Sequence, residues 1–370
     1  MKQISLFILM AAALVMGFVA CGDDEDDVNE GEIIDLSTVK CGDDEDDVNE
    51  GEVIDLSTVK YELILKNGDV VTGRLTENVM VLVANGAKIT LRDAFIKSEK
   101  TTDNDKWAGI TCLGNATIVV EGNDTVRGNI PGFPGIMPGP TGTTLTIRGT
   151  GSLHVSGNHG AGIGGTSEGV GGSNSTRTNG DCGNIVIEGG TINATGGDYC
   201  AGIGYGKGLL TDRFQYGCGN ITIKGGTVTA KGGQMAAGIG SGGSGSCSCG
   251  NITITGGTVM AIGGKLAPGI GSGMGYAYIN PSSASVNYYY SVCGDILISG
   301  GTVTAVGGLS AAGIGSGMAV SICSNINITN GISHVTATKG EKSQNSIGAG
   351  ESGDCGKVTI TADPSKVTRN

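Results

Sequence analysis

The stretch CGNITIKGGTVTAKGGQMAAGIGSG, residues 218–242, decides the fold. Ile221 and Ile223 flank Thr222, and Val228 and Ala230 alternate with Thr227 and Thr229. Apolar side chains at every second position mark strands with one buried face, whereas a helix would space them three and four apart. Gly pairs separate the segments, so the chain turns every few residues. Units of the same design open at Cys182, Cys249, Cys293 and Cys323, with a remnant at Cys355. The successive spacings are 36, 31, 44, 30 and 32 residues, a recurrence that signals a solenoid.

Three short strands per unit make one coil of a three-sided parallel β-helix, each coil stacking on the next at about 4.8 Å. Ile185, Ile221, Ile252, Ile296 and Ile326 would form the inward ladder of a first face. Val228, Val259 and Val303 would line the second, and Ile203, Ile239, Ile270 and Ile314 the third. Weaker copies continue upstream. TLTI (144–147), SLHV (152–155) and AGIG (161–164) form one coil; ATIV (116–119) and PGI (134–136) belong to another; KITL (88–91) and AGI (108–110) to a third. The expectation is all-β: a single-stranded right-handed parallel β-helix over residues 87–370, with about eight coils. Residues 61–86, with a turn at Asn67-Gly68, read as a small N-terminal β cap. VTI (358–360) and Pro364 read as the closure of the other end, since an open solenoid end exposes a sheet edge.

Composition fits a narrow tube. Among 370 residues there are 70 Gly, one Trp, nine Tyr and five Phe, too few large side chains for a thick core. Collagen is excluded, because Gly lacks a period of three and there are only seven Pro. The formal charge of −12 is concentrated: residues 21–60 carry −14, leaving +2 for the rest. A nearly neutral body argues against nucleic acid as a partner.

The first twenty residues pair Lys2 with an apolar run ending in Phe18-Val19-Ala20 before Cys21. A charged start, a short apolar core and a small residue before the cut describe a signal peptide. Cys21 after Val-Ala resembles a bacterial lipoprotein box and would carry the lipid. The acids Asp23 to Asp27 directly behind it resemble the surface-export signal of Bacteroidetes lipoproteins. These features imply an outer-membrane lipoprotein displayed at the cell surface and touching the membrane through its lipid anchor only. Residues 21–40 recur at 41–60 with one change, Ile33 to Val53, and read as a duplicated acidic tether kept extended by like charge. Its acids lack the alternating spacing of a calcium loop.

Cys182, Cys218, Cys249, Cys293, Cys323 and Cys355 share one repeat position and should stack as a column. Such a column can pack as small apolar groups, the favoured expectation, or close inter-coil disulfides. A metal is the least supported use; Cys247 and Cys249 are the only close pair and no His lies near. Asn184, Asn220, Asn251, Asp295 and Asn325 should form a second ladder, hydrogen-bonding from coil to coil.

Evidence for catalysis is thin. His154, His159 and His334 are isolated, and the acids beyond residue 144 show no repeated pairing of the kind glycosidases use. Lys207, Arg213 and Lys224 are scattered, and the phosphate-loop look-alike GIGYGKG (202–208) is a repeat corner without a following helix. No catalytic residue is assigned, and the chain is expected not to be an enzyme. Outward Thr227, Thr229, Thr302 and Thr304 echo the rows of ice-binding solenoids, but Asn193 and Met260 break them. Two insertions depart from the repeat. Residues 205–217 carry Tyr205, Phe214 and Tyr216; residues 274–292 carry Tyr276, Tyr278, Tyr288, Tyr289 and Tyr290. Insertions in repeat proteins map to loops, commonly on a binding face, and Tyr rings stack well on sugars. The bland alternative is that these loops fold over each other as a local cluster.

TLTIRGTGSLHVSGN (144–158), GGTINATGG (189–197), the AGIG motifs and ATIVVEGNDTVRG (116–128) together resemble the bacterial carbohydrate-binding β-helix family typified by a clostridial cellulose- and pectin-binding surface protein. The resemblance spans roughly residues 85–365 and implies binding of acidic polysaccharide with help from calcium. Few acids lie along these coils, a departure from that pattern, and no ligand residue is carried over. The expected function is binding of polysaccharide, or of a host or microbial surface glycan, in the manner of an adhesin. The alternative is a structural or protein-binding surface solenoid; a polysaccharide lyase or glycosidase ranks lower. No cofactor is expected apart from the calcium that the resemblance implies.

Overall fold

The computed structural model describes residues 51–97, 107–129, 132–167, 181–208, 217–279 and 285–370. Residues 1–50, on which the expected signal peptide, the expected lipidation at Cys21 and most of the expected tether fall, lie outside them. The described residues fall within the unit Asn49–Asn370. They are all-β apart from single turns of 3-10 helix at Leu56–Thr58 and Pro364–Lys366. The chain is a parallel β-helix.

Residues 218–242 supply the strands Ile221–Ile223, Thr227–Lys231 and Ile239–Gly240, one for each face. Each pairs in parallel with its copy in the next coil, so that Ile221 meets Ile252, Val228 meets Val259 and Ile239 meets Ile270. The three expected ladders are inward and at most 1% exposed. Burying an Ile side chain contributes roughly 1.5–3 kcal/mol, so these ladders, not the outward Thr rows, hold the coils together. The first two faces join in one 19-stranded sheet, the third forms a ten-stranded sheet, and Cys218, Cys249, Cys293, Cys323 and Cys355 lie along a separate five-stranded sheet, with Cys182 bridged to Cys218.

Both ends differ from expectation. Residues 61–86 are not a cap. Leu63–Leu65 and Val81–Val83 are the first two strands of the third face, and Val70–Arg74 pairs in parallel with Lys88–Ile96. The Asn67-Gly68 turn exists, with Gly68 at φ +90°, but it joins two faces of one coil rather than two strands of a hairpin. Residues 53–56, which the expected tether included, also belong to the solenoid. Val53–Asp55 pairs with Val70–Arg74, and Leu56 is fully buried. The third face therefore has ten strands among the described residues, against about eight expected coils. At the other end, Val358–Ile360 and Val367–Arg369 add a last layer to the first and second faces instead of closing the tube. A hollow of about 590 Å³ remains there, lined in part by Asn345, Ile347, Cys355, Val358, Ile360 and Arg369.

The Asn ladder runs through the backbone. Each side-chain oxygen accepts from the N–H of the same position one coil on: Asn184 from Asn220 at 2.9 Å, Asn220 from Asn251 at 2.8 Å, Asn251 from Asp295 at 2.9 Å and Asp295 from Asn325 at 2.9 Å. Upstream, Asn85 accepts from Asn115, and Asn115 from Thr144. The role needs an acceptor only, which is why Asp295 fits the series. Replacing Asn251 by Ala should lower stability by about 1 kcal/mol, and Asn251→Asp by less. Urea denaturation of the two variants would check this order; equal losses would remove the ladder's energetic role.

Candidate functional site

Most coils pass from the third face to the cysteine strand by a short link; Ile314–Ser316 reaches Ser321–Cys323 in four residues. Between Ile270–Ser272 and Ser291–Cys293 the chain instead inserts an antiparallel hairpin, Tyr276–Ile279 with Val286–Tyr289. Tyr, Ile and Val favour strands, and here their period of two has no further strand to join. The base is tied to the following coil: Gly275 N–H donates to Ala319 O at 3.2 Å and Ser291 N–H to Val320 O at 3.1 Å.

Pairing sorts the side chains between the two faces of the hairpin. Tyr276 opposes Tyr289 and Tyr278 opposes Asn287 on one; Ala277 opposes Tyr288 and Ile279 opposes Val286 on the other. On the first face Tyr289 is buried, and its ring stacks on Tyr276 with centroids 6.4 Å apart and planes 18° apart. A stack of this kind is worth about 0.5–1.5 kcal/mol beyond its buried area and steadies the hairpin base. The second face is open to water, with Ile279 66% and Tyr288 52% exposed. The rings of Tyr288 and Tyr290 lie 6.3 Å apart, tilted by 36°. Tyr278, on the first face beyond the stack, is also exposed.

Five of the eight aromatic candidates thus meet on this hairpin, and of these Tyr289 faces inward. Tyr205 does not join them. It follows Ile203-Gly204 where later coils place the buried Ser241, Ser272 and Ser316, and the strand's alternation drives it inside. There it packs with Cys182, Cys218 and Cys247. Phe214 and Tyr216 lie outside the described residues. Ile279 and Val286 were missed as candidates, although their alternation with Tyr278 and Tyr288 is readable in the sequence.

The other chemical candidates stay apart. His154 points outward from the second face, His159 sits in a turn at φ +61°, and His334 Nε2 lies 3.0 Å from Thr368 Oγ1. Among the described residues, nowhere do three or more His, Cys, Asp or Glu gather as metal ligands. Of the described cysteines, Cys182 and Cys218 are joined in a disulfide. The free-thiol expectation is thereby corrected for that pair, because neighbouring coils bring their Cα atoms to 4.5 Å.

Similarity to known proteins is confined to the repeat. No curated protein and no solved structure matches the chain. A family model described as a beta helix repeat matches residues 185–204, 221–243, 252–274 and 296–318. Each matched stretch begins at a first-face Ile of the inward ladder and runs to or just past a third-face strand. Over four successive coils the chain is therefore similar to a β-helix repeat family, in keeping with the solenoid its strands build.

Proposed function

We propose that the protein is a surface-displayed lipoprotein, anchored through Cys21, that binds polysaccharide with the exposed face of the Tyr276–Tyr289 hairpin. One observation carries the reading. Of the ten large hydrophobic side chains exposed among the described residues, four (Tyr278, Ile279, Val286 and Tyr288) sit on this hairpin. Scattered exposed apolar groups need no explanation, but a cluster of them on one projecting element marks a contact surface. Tyr288 and Tyr290 offer ring faces for the C–H side of a sugar, with hydroxyls at the rim to hydrogen-bond to it. The acidic tether would hold such a face clear of the membrane.

The full chain, kept in detergent micelles, should bind one or more members of a panel of plant and host polysaccharides. The same samples should show no new reducing or unsaturated ends. Replacing Tyr288 and Tyr290 together by Ala should weaken binding at least tenfold, about 1.4 kcal/mol. Repeating the titration with calcium and with a chelator tests whether the ion that the family resemblance implies takes part. Binding unchanged by the double substitution would move the contact surface elsewhere on the solenoid. Absence of binding to every glycan would favour a structural or protein-binding role, and cleavage would replace the reading with an enzyme.

A further inference from the structure

The six column cysteines stand in one continuous register. Cys182 pairs with Cys218, Cys218 with Cys249, Cys249 with Cys293, Cys293 with Cys323 and Cys323 with Cys355. In-register parallel neighbours lie about 4.8 Å apart, inside the range a disulfide spans. The bond between Cys182 and Cys218 removes the first two members. Cys249 then has one neighbour left, Cys293, and their sulfurs are 3.4 Å apart. Bonding Cys293 to Cys323 instead would strand Cys249 and Cys355. Pairing Cys249 with Cys293 and Cys323 with Cys355 leaves no thiol over.

Access is uneven along the column. Cys249, Cys293 and Cys323 are buried, whereas Cys355 is partly exposed and lines the hollow at the C-terminal end of the tube. Cys247 has no such prospects: its in-register neighbour is Ser291, and burial pushes its thiol up to about 12. We propose that the four remaining column cysteines close a second and a third inter-coil disulfide, Cys249 to Cys293 and Cys323 to Cys355, with oxidation passed inward from Cys355 by thiol–disulfide exchange.

The oxidant is a small soluble disulfide, R–S–S–R. Cys355, having given its proton to water, attacks one sulfur of the oxidant; a mixed disulfide forms and RS⁻ leaves. Cys323 attacks the Cys355 sulfur, the Cys323–Cys355 bond forms and the second RS⁻ leaves. Two thiols are oxidised and one R–S–S–R is reduced to two thiols. Cys293 then attacks Cys323, its proton passing to the released Cys355 thiolate, and Cys249 attacks Cys293, its proton passing to the released Cys323. The inner bond is now made, and a second R–S–S–R restores the outer one. Every attack is by a cysteine on its in-register neighbour, the arrangement that exchange through a mixed disulfide requires. Hydrogen bonds from Cys293 and Cys355 hold the Cys323 thiol below its ordinary value and push the Cys293 and Cys355 thiols above theirs, so Cys323 is the readiest nucleophile of the three and sits at the relaying position.

The test uses the folded full chain with the Cys182–Cys218 bond intact and the other column cysteines reduced, then treated with oxidised glutathione. Portions are quenched with N-ethylmaleimide at intervals and mapped by mass spectrometry of linked peptides. The Cys323–Cys355 link should appear first and the Cys249–Cys293 link after it, with Cys112, Cys200 and Cys247 still alkylated as thiols. Cys355→Ser should slow the inner link at least tenfold, and Cys323→Ser should leave Cys355 as a glutathione mixed disulfide with no inner link. Far-UV circular dichroism checks that each variant is folded, and Cys355→Ala serves if the Ser variant is not. An inner link that forms at the wild-type rate without Cys355, a stable Cys293–Cys323 product, or no new link in the wild type would each overturn the proposal.

Discussion

Replacing Gly271 by Ala is expected to cost about 3 kcal/mol or more, and the same change at Gly348 much less. Both glycines occupy the Ile-Gly position of the third face, with φ of +134° and +129°. Gly164, Gly204, Gly240 and Gly315 hold the same position with φ from +133° to +141°. An L side chain in this region carries a strain of roughly 1–3 kcal/mol wherever it sits. At Gly271 a second effect adds to it. A Cβ there would stand 1.8 Å from the carbonyl oxygen of Gly315 and 2.8 Å from its carbon. Both atoms are backbone, so no rotamer change relieves the clash, and the whole next coil would have to move. Gly348 lies in the last strand of that face, and the nearest atom to its Cβ is the Asn345 Cβ at 3.5 Å. Urea midpoints of the two variants separate strain from steric exclusion. Equal losses would mean that coil-to-coil contact at this glycine does not limit stability.

The second large effect is on pH dependence, through Asp124. It lies in the inward column of the second face, in register with Leu153, and is fully buried. One carboxyl oxygen accepts from Ala94 N–H at 2.8 Å; the other has no partner. Burial, with smaller contributions from the charges of Asp93 and Glu121, raises its pKa to about 7. The sign follows from proton counting. Between the unfolded value near 4 and about 7, the folded chain holds a proton that the unfolded chain has released, so stability falls as pH rises through that window. A shift of about three units corresponds to at most roughly 4 kcal/mol. Asp124→Asn keeps an acceptor for Ala94 and removes the titration. It should leave stability at pH 4 nearly unchanged and raise it at pH 8 by about 2–4 kcal/mol. The difference between wild type and variant cancels carboxylates such as Asp55 and Asp363, whose hydrogen bonds with Ser57 and Ser365 act in the opposite direction. Parallel stability curves for the two proteins from pH 4 to 8 would refute the assignment.

Legibility tracked the strength of the repeat. From residue 182 onward, Gly pairs, alternating Ile and Val and the Cys-Gly-Asn openings recur so closely that strands, inward ladders and both polar columns could be read position by position. Toward the N-terminus the Gly pairs and the Ala-Gly-Ile motif fade, and two coils passed for a cap. The backbone there still closes the same ladders, because Leu65, Val81 and Val83 from the third face and Val71 from the larger sheet bury into the same core without the repeat's punctuation. Tyr205 and Asp124 show a second kind of loss. Both take positions whose inward direction is set by register with neighbouring coils, yet each has a side chain that composition assigns to the surface.

By itself the sequence determined the class of the fold, the coils from residue 87 onward and the place of the 274–292 insertion, because alternation and fixed spacing are local properties of the chain. Tertiary structure alone decided where the solenoid begins, which side of the Tyr hairpin faces water, which cysteine is bonded and which column thiol reaches the open end. Each of those depends on what lies one coil away, from 17 residues along the chain between Val53 and Val70 to 36 between Cys182 and Cys218, and no local pattern encodes that neighbour.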